Sequence, residues 1–177
     1  MRKRFEVQSA LGRTPIERVE IPLKSRDELP PILAGLQWIF QTPEVSGKIL
    51  ALLEEHLTKG KKDTGRPGIN LWQILVLGVV RLGLDCDYDR LEDLANHHTL
   101  IRQILGLSPV REAGEKPFHQ KTLSQNVCHV DEELLSQINA VIVETGRPLF
   151  KKKKAPKPSK LKQTATSWKP TFTTQQT

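Results

Sequence analysis

The chain has 177 residues, a mass of 20.0 kDa and 37% hydrophobic residues, enough for one domain with a modest core plus extensions. Its formal charge of +7 and pI near 9.5 point to an anionic partner. That charge is unevenly placed: residues 151–177 hold eight of the 27 Lys and Arg and none of the 20 Asp and Glu, leaving 19 basic against 20 acidic over residues 1–150. Two cysteines, Cys86 and Cys128, exclude a disulfide framework and fit a reducing interior. The opening MRKRFEVQSALGRT is basic but has no apolar run behind it, unlike a secretory signal. The longest apolar stretch, Leu71–Leu84, is broken by Gln73 and Arg81 and falls short of the roughly 20 residues of a membrane span. A soluble cytoplasmic protein is expected, with no membrane partner.

Residues 1–28 alternate weakly and carry Pro15 and Pro22, which predicts an extended arm with room for one short strand. Residues 29–58 read as a helical pair. In the first helix Ile32, Leu36, Ile39 and Phe40 share a face. In the second, Thr42 stands at the cap before Pro43, and Val45, Ile49, Leu53 and Leu57 recur every four residues up to a stop at Gly60. KGKKDTGRPG, Lys59–Gly68, is rich in Lys and Gly and reads as the core of a basic linker over residues 59–69. Asn70 is placed to cap a buried helix over 71–84. Leu91 and Leu94 mark the inner face of the next helix, and TLIRQILGL predicts a short one closing at Gly106. A loop over 108–118 contains Pro109, Gly114 and Pro117. Leu123, Val127 and Val130 then form an apolar stripe. Asp131 caps a last helix with Leu134, Leu135, Ile138, Val141 and Ile142 inward, expected to stop at Gly146 and Pro148.

Few constellations carry chemistry. Asp85, Asp87 and Asp89 have the spacing that opens a calcium loop, but that loop needs Gly at its sixth position and Glu at its twelfth, where Arg90 and Asn96 stand; an acidic turn capping the next helix is the reading kept. His97, His98, His119, His129, Cys86 and Cys128 do not fall at zinc spacing, and no nucleophile–base set or phosphate loop is recognisable, so no catalytic residue, metal or cofactor is assigned. His56 reads as a partly buried residue beside an apolar stripe. Lys59, Lys61, Lys62 and Arg66 of the linker suit phosphate contact as well as a solvated hinge. With Leu123 and Val127 inward, Lys121, Ser124, Gln125 and Asn126 are expected outward. Asn and Gln can bond adenine edges and Lys and Ser can hold phosphate; a merely solvated helix face fits equally.

GRPGINLWQILVLGVVRLGLDCDYDRLEDLANHHTLIRQILGL resembles the N-terminal domain of DDE-type insertion-sequence transposases, and MRKRFEVQ, KSRDELPPIL, KTLSQNV and LLSQINAVIVETG are similar to members of the ISNCY group. The likeness runs from Met1 to about Lys154. It implies recognition of the double-stranded terminal repeats of a mobile element, with strand cutting and joining assigned to a separate RNase H-like domain that would carry three acidic metal ligands and does not follow here. The tail bears on this. Trp168 is encoded only by TGG and Lys169 by AAA or AAG, so a frame starting one nucleotide earlier reads Leu, Met or Val and then Glu. From Gln163 to Thr177 that frame permits D-S-Y-V-L-E-T-N-V-H-Y-P-T-D, fourteen positions in order, similar to the family's first catalytic strand. The tail is therefore read as the start of the catalytic domain out of frame, with the slip at Lys151–Lys154.

The sequence thus predicts a mainly α protein: a short-helix bundle with helix-turn-helix-like DNA-binding elements over residues 70–150, an extended N-terminal arm over 1–28, and a disordered basic C-terminal tail over 151–177. The expected function is DNA binding by a truncated transposase without transposition by itself. Intact transposase or a second copy is the further partner expected. Two alternatives stay open: a helical oligomerisation module with no DNA role, and the upstream product of a programmed frameshift whose fusion is the active enzyme.

Overall fold

Apolar residues at three- and four-residue intervals build seven α-helices and no strand among the described residues of the computed structural model, which are 13–58 and 68–150. The helices are α1 (Leu29–Gln41), α2 (Pro43–Thr58), α3 (Leu71–Gly83), α4 (Tyr88–His97), α5 (Thr99–Ile104), α6 (Gln120–Val127) and α7 (Glu132–Phe150). No helix among these residues is long and apolar enough to cross a membrane. The expected disorder and shifted frame of residues 151–177 lie outside the described residues, as do residues 1–12 and the linker cations Lys59, Lys61, Lys62 and Arg66.

Helix α3 is central. It packs against α1, α2, α4 and α6, and Leu71, Trp72, Ile74, Leu75, Val76, Leu77 and Val80 are all buried. A helix apolar on every side has to be surrounded, which is what its neighbours do. The Trp72 indole donates to the carbonyl of Ile104 at 2.8 Å and its ring lies 5.0 Å from that of Phe40, so one side chain ties α3 to both α5 and α1. Gly78 permits a close crossing: a Cβ there would stand 2.7 Å from the Val130 side chain. Helix α2 lays Val45, Ile49, Leu53 and Leu57 inward as expected and packs on α7. The helical pair of residues 29–58 therefore shares one core with residues 70–150.

The capping signals hold at three helices. Asn70 Oδ1 accepts the Gln73 N–H at 2.8 Å, Asp87 Oδ1 that of Arg90 at 2.8 Å, and Asp131 Oδ1 that of Leu134 at 2.8 Å. Thr42 precedes α2 as expected, but its hydroxyl donates back to the Trp38 carbonyl at 2.9 Å and so closes α1. Helix α3 ends in a Schellman turn, with the Cys86 N–H donating to Arg81 O at 3.0 Å and Asp85 left-handed at φ 46°.

Three expectations are corrected. Residues 13–28 are not a free extended arm: a 3-10 turn at Ile16–Arg18 seats Ile16 and Val19 in the core, and Gln37 Nε2 donates to both of their carbonyls at 2.8 Å. On α1, Leu33 is fully buried whereas Ile32 and Phe40 are half-buried, because the inner face is set by Leu29, Leu33, Leu36 and Ile39. Helix α7 does not stop at Gly146 and Pro148 but runs to Phe150. Pro148 lacks the N–H that would pair with the Glu144 carbonyl, so α7 forgoes one hydrogen bond near its end without being stopped there.

Candidate nucleic-acid interface

Helix α6 carries the polar side chains singled out for DNA contact. Leu123 and Val127 are buried beneath it, against α3 and α4, which turns Lys121 and Gln125 outward and leaves Ser124 half-buried. The Ser124 hydroxyl donates to the Lys121 carbonyl at 3.1 Å. Asn126 corrects the outward expectation: it is buried, and its Nδ2 donates to the Thr122 carbonyl at 2.6 Å. It lies under the chain entering α3, where a Cβ at Gly68 would be 3.6 Å from its Oδ1. Gly68, the first described residue after the basic linker, thus lies against α6. Arg66 is two residues from that junction.

The helix ends near this face are occupied by the protein itself. The Gln120 N–H, at the start of α6, donates to Glu92 Oε2 of α4 at 2.7 Å, so a carboxylate holds the place where a phosphate would meet a helix N-terminus. The start of α7 carries Asp131, Glu132 and Glu133, with Asp131 Oδ2 3.6 Å from His56 Nε2. A nucleic acid on α6 is therefore left with exposed side chains: Gln120, Lys121, Thr122 and Gln125.

Behind this face the loop over 105–119 is held by buried polar groups that the sequence does not advertise. Arg102, 1% exposed, donates from Nε to Ser108 O at 2.8 Å, from Nη1 to Asn96 O at 3.3 Å, and from Nη2 to Glu115 Oε1 and Oε2 at 2.9 and 2.7 Å. Asn96 accepts the Phe118 N–H at 2.9 Å and donates to its carbonyl at 2.9 Å, which fixes the entry into α6. His98 joins α4 to α5, and its Nδ1 accepts the Ile101 N–H at 3.4 Å. Burial pushes its pKa below the ordinary value, against the pull of Asp27, with Arg90 lowering it further. Burial likewise raises the Cys86 thiol.

Among the described residues no group of three His, Cys, Asp or Glu is placed to hold a metal ion. Charge divides sharply by region. Residues 13–58 and 68–150 hold 12 Lys and Arg against 18 Asp and Glu, and the remaining segments hold 15 against two. No protein-family model, no curated protein and no solved structure matches this chain.

Proposed function

We propose that this chain includes the DNA-binding portion of an insertion-sequence transposase and that this portion recognises the terminal repeats of a mobile element. The reading rests on the family likeness of its sequence, and one structural observation supports it: the chain leaving the basic linker lies against α6 at Asn126. Linker cations and Lys121 would neutralise phosphates while Gln125 reaches base edges, the usual division between positioning and specifying contacts. In this proposal α6, packed on α4, is the reading helix.

The test is a gel shift with labelled terminal-repeat duplex against random duplex of equal length. Preference for the terminal repeat in moderate salt is expected, and equal binding would sink the reading. Lys61→Ala with Lys62→Ala is expected to weaken binding to every duplex and flatten the salt dependence. Gln125→Ala is expected to cost roughly 1–3 kcal/mol on the preferred duplex alone.

A second reading, a helical oligomerisation module with no DNA role, is favoured by the acidic balance of the described residues, which would repel a phosphate backbone. Sedimentation with and without terminal-repeat DNA separates the two, since a stable multimer indifferent to DNA fits only the second. The nucleotide sequence around codon 150 distinguishes a decayed gene, with scattered stops, from programmed frameshifting, with an open catalytic frame beyond a run of A.

A further inference from the structure

We propose that the apolar groove between α1, α3 and α7 is the seat of this chain's own residues 1–12, with Phe5 as the anchor. The groove encloses about 410 Å3 and is walled by Ile32, Trp38, Val79, Leu82, Leu135 and Ile142. Its volume and lining suit an aromatic or branched side chain.

Gly35, in the middle of α1, faces this space: a Cβ built there meets nothing within 4 Å. Glycine inside a helix is about 1 kcal/mol less favourable than alanine, and no described neighbour requires the bare backbone at this point. A side chain descending onto α1 between Pro31 and Trp38 has room there.

The tether selects the occupant, and charge agrees with it. The described residues carry 12 basic against 18 acidic groups, while residues 1–12 carry Arg2, Lys3 and Arg4 against Glu6 alone, interleaved with Phe5, Val7 and Leu11. An apolar segment flanked by cations fits an apolar groove in an acidic body. The chain is already fastened to α1, where Gln37 holds the carbonyls of Ile16 and Val19 and Gln41 donates to that of Glu17 at 3.1 Å. Trp38 stands about 100° around the helix from Gln37, on the way to Pro31 and Gly35. Twelve residues can span about 40 Å, several times the width of a helix. This inference does not depend on the DNA reading.

The test is solution NMR on the full chain, with labelled and unlabelled molecules mixed to separate contacts within one molecule from contacts between two. NOEs from the Phe5 ring to Trp38 or Ile142 within one molecule are expected. Gly35→Leu fills the groove and is expected to move the amide resonances of residues 2–11 to random-coil positions while α2 keeps its shifts. Should that variant fail to fold, Phe5→Ala is expected to shift the Trp38 indole resonance. Three results would overturn the proposal: no NOE from Phe5 to the groove, NOEs only between molecules (a second copy as occupant), or NOEs from Trp168 in its place (the tail as occupant).

Discussion

Helices α1, α2, α3 and α7 meet through apolar side chains, whereas the loop between α5 and α6 is held by one guanidinium and one carboxamide. The first region spreads its stabilisation over Leu33, Leu36, Ile49, Leu53, Leu75 and Leu134, none of which is more than 1% exposed. The second concentrates it: Arg102 alone gathers Ser108, Asn96 and Glu115. Dispersed apolar contact degrades gradually under substitution, while a buried polar clasp fails when one partner goes, because the groups left behind are desolvated and unpaired.

The contrast can be broken most directly at Arg102. Arg102→Met keeps the length of the side chain but strands the Ser108 carbonyl and the Glu115 carboxylate, and a loss of about 3 kcal/mol is expected in urea unfolding. On the apolar side, Gly78→Ala forces a methyl to 2.7 Å from Val130, with an expected loss of about 2 kcal/mol despite alanine's better helix propensity. Adding Val130→Ala should recover part of that loss, so the double-mutant cycle should show positive coupling. Asp85→Gly relieves a left-handed aspartate at φ 46° and is expected to stabilise by about 1 kcal/mol, read as a higher urea midpoint at unchanged slope. The smallest effect belongs to pH. His98 accepts the Ile101 N–H only when neutral, and its folded pKa lies below its unfolded one. The stability it contributes is complete above its ordinary pKa near 6.5 and falls away as pH drops below it. His98→Gln should remove that part of the acid dependence of the urea midpoint.

The two regions also differ in how far they can be read from sequence. The four-residue recurrence of Val45, Ile49, Leu53 and Leu57 is a local signal, and burial follows it. Asn70, Asp87 and Asp131 are equally local, since a cap acts on the N–H three residues ahead. The clasp is not local. Asn96 and Phe118 are 22 residues apart, and neither periodicity nor propensity marks an arginine that will be buried. Asn126 shows the same limit at the candidate interface. Its position on α6 places it at the edge of the polar face, but the chain passing at Gly68 covers it, and only tertiary packing reveals that. The docking of residues 16–19 is non-local for a related reason: Gln37, far along the chain, donates to the Ile16 and Val19 carbonyls.

Separation of charge between the helical body and the segments around it has a practical outcome in purification. The intact chain, at pI near 9.5, should adhere to a cation exchanger at neutral pH. A chain shortened to residues 13–150, with 19 acids against 16 bases, should run through that resin and adhere to an anion exchanger instead. Trimming would thus reverse the molecule's sign, and elution order alone would report whether the basic segments are still attached.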